Sequence, residues 1–495
     1  MPGGLLPTMP TPTPPTPTQM INEKQQRPAH SERASGQWIN LLFSIIQNLG
    51  HTLKLRKPLT VHSMHTGTNS FRMFFRMAGI EVNDVVGAER KPHARLFVTR
   101  NRIEPDHFYD DTAEMLEHCK APGEVGHCRA DIFASGFPCQ PFSRMSRRSR
   151  APQDHPLYKE FAVVCNYIKK TEPKTCILEN VVAFVLAEGG ADSGDDLVEE
   201  ADDGLHSSSN IRNSNSNSNS NNNRTGIALL QEELGDKYHI VHSMVNLSDW
   251  TDSRRPRVFI WCLHKNCGSE EVAFAARSLA SDIGRQRRRT QPEAVEQHLY
   301  NVGTSEWFSA ISEVGNRGKS NSHKLEQKRA WEPEVLRVRE LIIQAGRPWA
   351  REHPLAAAKL YGLAGTERQR AVLEAVLLIH CHLNNLDPRD AKQLNLAKRG
   401  LKWDISQNVH HSNYGALRHC VCSCLCTGAL LYSFEADRLV HPGEILSSFG
   451  WPADVECALM HWRDIQDLAG ESQALQAIGV VTTALLLSYQ KACGW

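Results

Sequence analysis

Ala130-Asp131-Ile132-Phe133-Ala134 runs through Ser135 into Gly136-Phe137-Pro138-Cys139-Gln140-Pro141-Phe142-Ser143. The first five residues read as a buried strand, and Pro138-Cys139-Gln140-Pro141 reads as a rigid turn that ends it. Such a turn sets one thiol at the carboxyl edge of a sheet, which is where α/β proteins bind ligands. On its own the thiol also fits an ordinary buried cysteine beside a turn. Outward from this segment, Leu59-Thr60-Val61, Ile80 to Gly87 and Thr175 to Leu178 read as further strands. Ser70 to Ala78, ending at Gly79, and Leu157 to Ile168 carry helical spacing. Tyr238 to Val245 and Val258 to Cys262 resume the strand pattern. Strands alternating with helices predict a parallel α/β sheet.

The rest of the chain divides by composition. Residues 1–56 form a lead-in whose Pro/Thr-rich start, to about residue 36, is too polar to bury a core and is expected to be disordered. The α/β domain is expected over 57–263, interrupted at 188–226 by an acidic and Ser/Asn-rich disordered insertion. Residues 264–438 are expected to form an inserted, irregular region, with helices at Trp331–Ile343 and Glu367–Leu383. Residues 439–495 are expected to return to the α/β domain, ending in a helix over Ser472–Lys491 that, by the resemblance given below, would pack beside the first strand. The chain has 495 residues, with 56 Lys+Arg against 55 Asp+Glu and a formal net charge of +1. That balance excludes a polycation, so nucleic-acid contacts would come from local patches. The fourteen cysteines are scattered, no secretory signal is read, and the longest apolar stretch, Ile478 to Leu487, is too short to span a bilayer. An intracellular, reducing setting with no membrane partner is the expectation.

Three further segments align with the thiol. Glu179-Asn180-Val181 follows a buried strand, so its carboxylate should emerge at the same sheet edge as Cys139. Ser253-Arg254-Arg255-Pro256-Arg257 precedes another strand, and Pro442-Gly443-Glu444 with Gly450-Trp451-Pro452 lies late in the chain. Together, and in this order, these segments resemble the C5-cytosine methyltransferase family. Pro138-Cys139-Gln140-Pro141-Phe142-Ser143 matches its nucleophile motif and Glu179-Asn180-Val181 its glutamate motif. Arg255 and Arg257 match its paired arginines, and Glu444 with Gly450-Trp451-Pro452 resembles its late Pro-x-Glu...Gly-Phe-Pro element.

The resemblance implies a Rossmann-like methyltransferase sheet that uses S-adenosylmethionine, with a smaller irregular target-recognition domain. It implies methyl transfer to C5 of cytosine in DNA, with the base turned out of the duplex. Cys139 would attack C6, Glu179 would bond the base, and Arg255 and Arg257 would stabilise the thiolate. Gln140, Ser143, Arg144 and Asn180 would meet the substrate. The arginines of 144–150 would suit a loop gripping phosphate, although a plain solvated basic loop reads the same way. Gly67, Asn69, Phe71, Glu89, Asp111, Pro138 and Gly479 would hold the cofactor, with Glu89 on the ribose hydroxyls and Asp111 near the adenine amine.

Departures concentrate on the cofactor side. The family's Asp-x-Phe-x-Gly-x-Gly-Gly loop is Ser63-Met64-His65-Thr66-Gly67-Thr68-Asn69-Ser70 here, and its late Gly-Asn pair is Gly479-Val480. Restoring glycine at 69 and 70 is expected to tighten cofactor binding. No metal is expected. Cys420, Cys422, Cys424 and Cys426 repeat every second residue, but one extended strand cannot wrap a tetrahedral ion. The Arg285-Gln286-Arg287-Arg288-Arg289 cluster reads as a solvated basic stretch, a DNA contact or a nuclear import signal. Two alternatives to DNA methylation stand: a tRNA cytosine-5 methyltransferase, and a catalytically silent DNA-binding protein. Localisation would be nuclear in a eukaryote and otherwise intracellular, and the sequence leaves the oligomeric state open.

Overall fold

A computed structural model of the chain describes residues 37–143, 151–186, 224–251, 253–288, 332–347, 367–406, 428–452, 454–457 and 460–495. Runs rich in Val, Ile, Phe and Cys form the seven strands of the main sheet. They are β1 (Leu59–Met64), β2 (Val82–Ala88), β3 (His107–Tyr109), β4 (Ile132–Ser135), β5 (Thr175–Asn180), β6 (Tyr238–Asn246) and β7 (Pro256–His264). Their order is β3-β2-β1-β4-β5-β7-β6. Neighbours among β1 to β5 are parallel. β7 alone runs against both β5 and β6. This is the α/β sheet expected from the sequence, doubly covered as parallel strands require.

The topology places the chemistry. The order reverses between β1 and β4, so the crevice at their carboxyl ends is a switch point where such sheets bind ligands. Because β7 is reversed, its first residues lie at that same edge, with Val258 opposite Asn180 and Phe259 opposite Glu179. One face of the sheet packs on Trp38, Leu42, Phe74 and the apolar helix Leu475–Tyr489. The other packs on Phe137, Phe142, Phe161, Phe184 and Leu230. A separate cluster, including Val376, Leu377, Trp403 and Tyr432, holds the helix Glu367–Leu383 on a small antiparallel sheet. That sheet is β8 (Lys402–Asp404), β9 (Leu431–Ser433) and β10 (Arg438–Leu439).

Two boundaries differ from the sequence reading. Within the lead-in, Gln37–Asn48 is a helix whose Trp38, Leu42 and Ile46 are buried, and Trp38 Nε1 donates to Gly450 O at 3.1 Å. The helix Glu270–Arg288 lies on the main sheet with its apolar side in the large core, so the catalytic unit extends past residue 263. Its basic end is only partly solvated. Arg287 is buried over the Trp250 ring and donates to Trp250 O at 3.1 Å, while Arg288 pairs with Asp249 at 3.3 Å. The last helix packs against Ser70–Met77 and Glu270–Arg288, and Trp261 Nε1 of β7 donates to Val481 O at 3.2 Å.

The late Pro-x-Glu element anchors the return of the chain. Glu444 is fully buried, takes both Arg438 Nη atoms at 2.8 and 2.7 Å, and also accepts from His441 N at 2.6 Å. Such a pair is costly to break, because either partner alone would be an uncompensated buried charge.

Candidate active site

The strand β4 ends at Ser135, and Gly136 carries the chain over the sheet edge into Pro138 and Cys139. Cys139 opens a short 3-10 turn, Gln140–Phe142, whose Pro141 and Phe142 are buried. The turn is fixed from below: Asn180 Nδ2 donates to Phe137 O at 3.2 Å, while Asn180 Oδ1 accepts from Val181 N at 2.9 Å. Asn180 is therefore buried as a clamp between β5 and the cysteine turn, in place of the substrate contact the resemblance implied. Gln140 is exposed and Ser143 Oγ donates to Gln140 O at 3.1 Å, while Arg144 and the other arginines of 144–150 lie outside the described residues.

Glu179, the penultimate residue of β5, is largely buried and held from two sides. Arg257 Nε lies 2.9 Å from Oε1, and Gln473 Nε2 donates to Oε2 at 3.2 Å. A Cβ built at Gly136 would stand 3.3 Å from Glu179 Oε2, so the cysteine turn and the carboxylate are neighbours. Burial pushes the Cys139 thiol above its ordinary value; Arg257 opposes the rise, Glu179 adds to it, and Arg255 opposes it most weakly. Of the two arginines, Arg257 opposes the rise more strongly. Arg255 instead stacks on Phe449 at 5.3 Å and donates to Gly470 O at 2.9 Å, tying β7 to the late segment.

The ends of β1, β2 and β3 form the other half of the crevice. Gly67 has φ 53, and its N–H donates to Glu89 Oε2 at 2.7 Å while Lys91 N donates to Oε1 at 2.8 Å. Asp111 caps the helix Thr112–His118 and pairs with Arg90 at 3.1 Å. Arg90 also reaches Glu160 at 2.9 Å, and the buried Glu160 further binds His65 Nε2 at 3.2 Å and Thr112 Oγ1 at 3.0 Å. The His65 bond, with help from Thr112 and Arg90 against burial, holds the Glu160 carboxyl at about 2.

Three residues expected at the cofactor have protein partners of their own. Asn69 does adopt the left-handed angles, at φ 51 and ψ 52, but its buried amide donates to Asp84 Oδ2 at 3.2 Å and Ile103 O at 2.6 Å. Phe71 is packed in the main core. At Gly479 a Cβ would lie 2.9 Å from the Trp38 ring and 3.0 Å from Leu42, so this glycine serves helix packing. Gln473, His65, Glu160 and Arg90 were not foreseen. Their only sequence signal is proximity to matched motifs.

Comparison with known proteins gives the family. Residues 59–349 match the C-5 cytosine-specific DNA methylase family over more than half of the chain. The chain belongs to that family. A type II methyltransferase, M1.HphI of Haemophilus parahaemolyticus, is 29% identical over 157 residues, covering 31% of this chain and 40% of that relative. The chain therefore spans well under two thirds of that relative's length. Solved structures with a similar sheet include Dnmt2 methyltransferase of S. pombe, 12% identical with a TM-score of 0.39, covering 87% of this chain and 98% of that one. Entamoeba histolytica methyltransferase EhMeth is 11% identical with a TM-score of 0.43 and coverages of 87% and 98%. A putative DNA modification methyltransferase encoded within an E. coli prophage is 13% identical, also at 0.43, with coverages of 88% and 99%.

The cofactor of this methylase family is S-adenosylmethionine, and the crevice fits its nucleoside half. Glu89 and Asp111 stand at the ends of adjacent strands, and each carboxylate oxygen keeps lone pairs beyond the bonds described above. Gly67, having no side chain, lets the ligand approach the backbone between them. Among the described residues no cluster of His, Cys, Asp and Glu is arranged to hold a metal. Cys420 to Cys426 lie outside the described residues.

Proposed function

We propose that this methylase acts on DNA, adding a methyl group to C5 of a cytosine turned out of the duplex, with Cys139 as nucleophile. The observation that supports this best is the doubly held Glu179 beside the cysteine turn. C5 of cytosine is a weak nucleophile. Addition of the Cys139 thiolate to C6 moves an electron pair toward C5 and N3; Glu179 accepts from the exocyclic amine on one oxygen and, through the other, passes a proton from solvent to N3, which neutralises that charge. Bound S-adenosylmethionine supplies the electrophilic methyl. Loss of the C5 proton then returns the electron pair and expels Cys139.

Because burial keeps the free thiol above its ordinary value, the nucleophile forms chiefly once substrate fills the pocket while Arg257 still opposes that rise. Glu89 and Asp111 orient the cofactor, and Gly67 gives it room. The test is covalent trapping. Duplex DNA or tRNA carrying 5-fluorocytosine is offered with S-adenosylmethionine, and a Cys139-dependent adduct is sought. An adduct on DNA supports the proposal. An adduct on tRNA alone moves the activity to RNA, and DNA binding with no adduct identifies a silent binding protein.

A further inference from the structure

We propose that Gln473 is a positioning residue for Glu179, and that through it the Gly67–Ser70 loop helps set the carboxylate that recognises cytosine. This rests on the reading of Glu179 given above. A carboxylate with one donor can pivot. Here Arg257 Nε holds Oε1 at 2.9 Å and Gln473 Nε2 holds Oε2 at 3.2 Å, so one donor on each oxygen fixes the carboxylate plane. Beyond those bonds one oxygen can accept from the exocyclic amine of the base, while the other can carry the proton that meets N3. Gly136 makes the arrangement possible: a methyl group there would lie 2.6 Å from Gln473 Nε2 and 3.3 Å from Glu179 Oε2. Its backbone φ is not in the left-handed region, so space rather than conformation demands glycine.

Gln473 is itself fixed to the cofactor-side loop. Ser70 Oγ donates to Gln473 O at 3.3 Å, and Ser472 Oγ meets Thr68 Oγ1 at 3.3 Å while accepting from Trp451 Nε1 at 3.0 Å. Ser70 occupies a position where the family resemblance expects glycine, so the hydroxyl that reaches Gln473 belongs to this chain's own version of the loop. The contact chain Ser70, Gln473, Glu179 links the two halves of the crevice without a shared ligand.

The full-length protein tests this in three ways. First, urea denaturation of Q473A, E179Q and the double variant should give non-additive midpoints, as for groups in contact; additive shifts would overturn the proposal. Second, with poly(dI-dC) and tritiated S-adenosylmethionine, Q473A should lower kcat about tenfold, the worth of one charge-assisted hydrogen bond, while KM for the cofactor stays unchanged. Gln473→Asn, one methylene shorter, should not rescue it, and Ser70→Ala should lower kcat less than Q473A does. Unchanged kcat in Q473A, with an active parent, sinks the idea. Third, G136A should be as impaired as Q473A, and the double variant no worse than Q473A alone, because the added methyl acts by displacing the amide. A strictly additive double variant would speak against that route. Should the parent transfer no methyl at all, the functional reading fails, and the denaturation cycle still decides whether Gln473 holds Glu179.

Discussion

The two halves of the crevice are built on different plans. On the base side, Glu179 is gripped by Arg257 from β7 and Gln473 from the segment before the last helix, residues far apart in the chain. On the cofactor side, each acid is answered close by: Glu89 by the N–H groups of Gly67 and Lys91, Asp111 by its own helix and Arg90. The first half is assembled from distant segments and so depends on the whole fold. The second is locally satisfied, so a ligand there meets oxygens that already accept one bond each, and the energy gained per contact is smaller.

The largest expected effect lies on the base side. Cys139→Ser should reduce methyl transfer and adduct formation to background, while the melting temperature moves by no more than a degree or two. Persistent transfer would mean another nucleophile. Arg257→Ala should cost roughly 10²-fold in kcat, because it removes both a grip on Glu179 and a positive charge that favours the Cys139 thiolate. Glu179→Gln, by contrast, should speed alkylation of Cys139 by iodoacetamide at pH 8.5, since the carboxylate raises the thiol's value; peptide mass spectrometry reads the rate.

On the cofactor side the effects should be smaller and mostly structural. Asp84, beneath the loop, is raised to about 7 by burial, against the Asn69 hydrogen bond and the Arg72 charge, from an ordinary 3.8. Between those two values the folded state keeps a proton that the unfolded chain releases, so stability falls as pH rises through that window. Asp84→Asn should therefore gain on the order of 2 kcal/mol over the parent at pH 8 and show little gain near pH 4, measured by urea denaturation. Asn69→Gly should lose about 1 kcal/mol of folding stability by urea denaturation. The left-handed angles suit glycine, but the bonds to Asp84, Ile103 and Arg72 N are lost. Smallest of all, Arg90→Ala should change S-adenosylmethionine affinity less than about fivefold by calorimetry, since the side chain is half exposed. A large change would show that the ionic set around Glu160 governs the cofactor.

The same contrast explains what was legible in the sequence. Strands β4 and β5 were readable because buried parallel strands are apolar runs, and β1 and β2 because β-branched and apolar residues recur among their polar ones. β3 was not, because His107–Tyr109 is a three-residue edge strand with no fully buried side chain. Cys139 and Glu179 were readable because each ends a strand, and strand polarity fixes where such residues emerge. Arg255 and Asn180 lay at the correct edge, but a sequence cannot say which way a side chain turns: one went to Phe449, the other beneath the cysteine turn. Phe71 and Gly479 matched by position and proved to be packing residues. Gln473 was invisible, since its importance comes only from an amide meeting a carboxylate almost three hundred positions earlier.

That last contact bears on how the protein comes into being. A ribosome delivers Cys139 and Glu179 long before Gln473, and the helix Leu475–Tyr489 that buries one sheet face emerges later still. Until then the nascent strands lack their cover and the carboxylate its second grip. A truncated translation product ending before residue 473 would carry every matched motif up to Trp451 and remain inert.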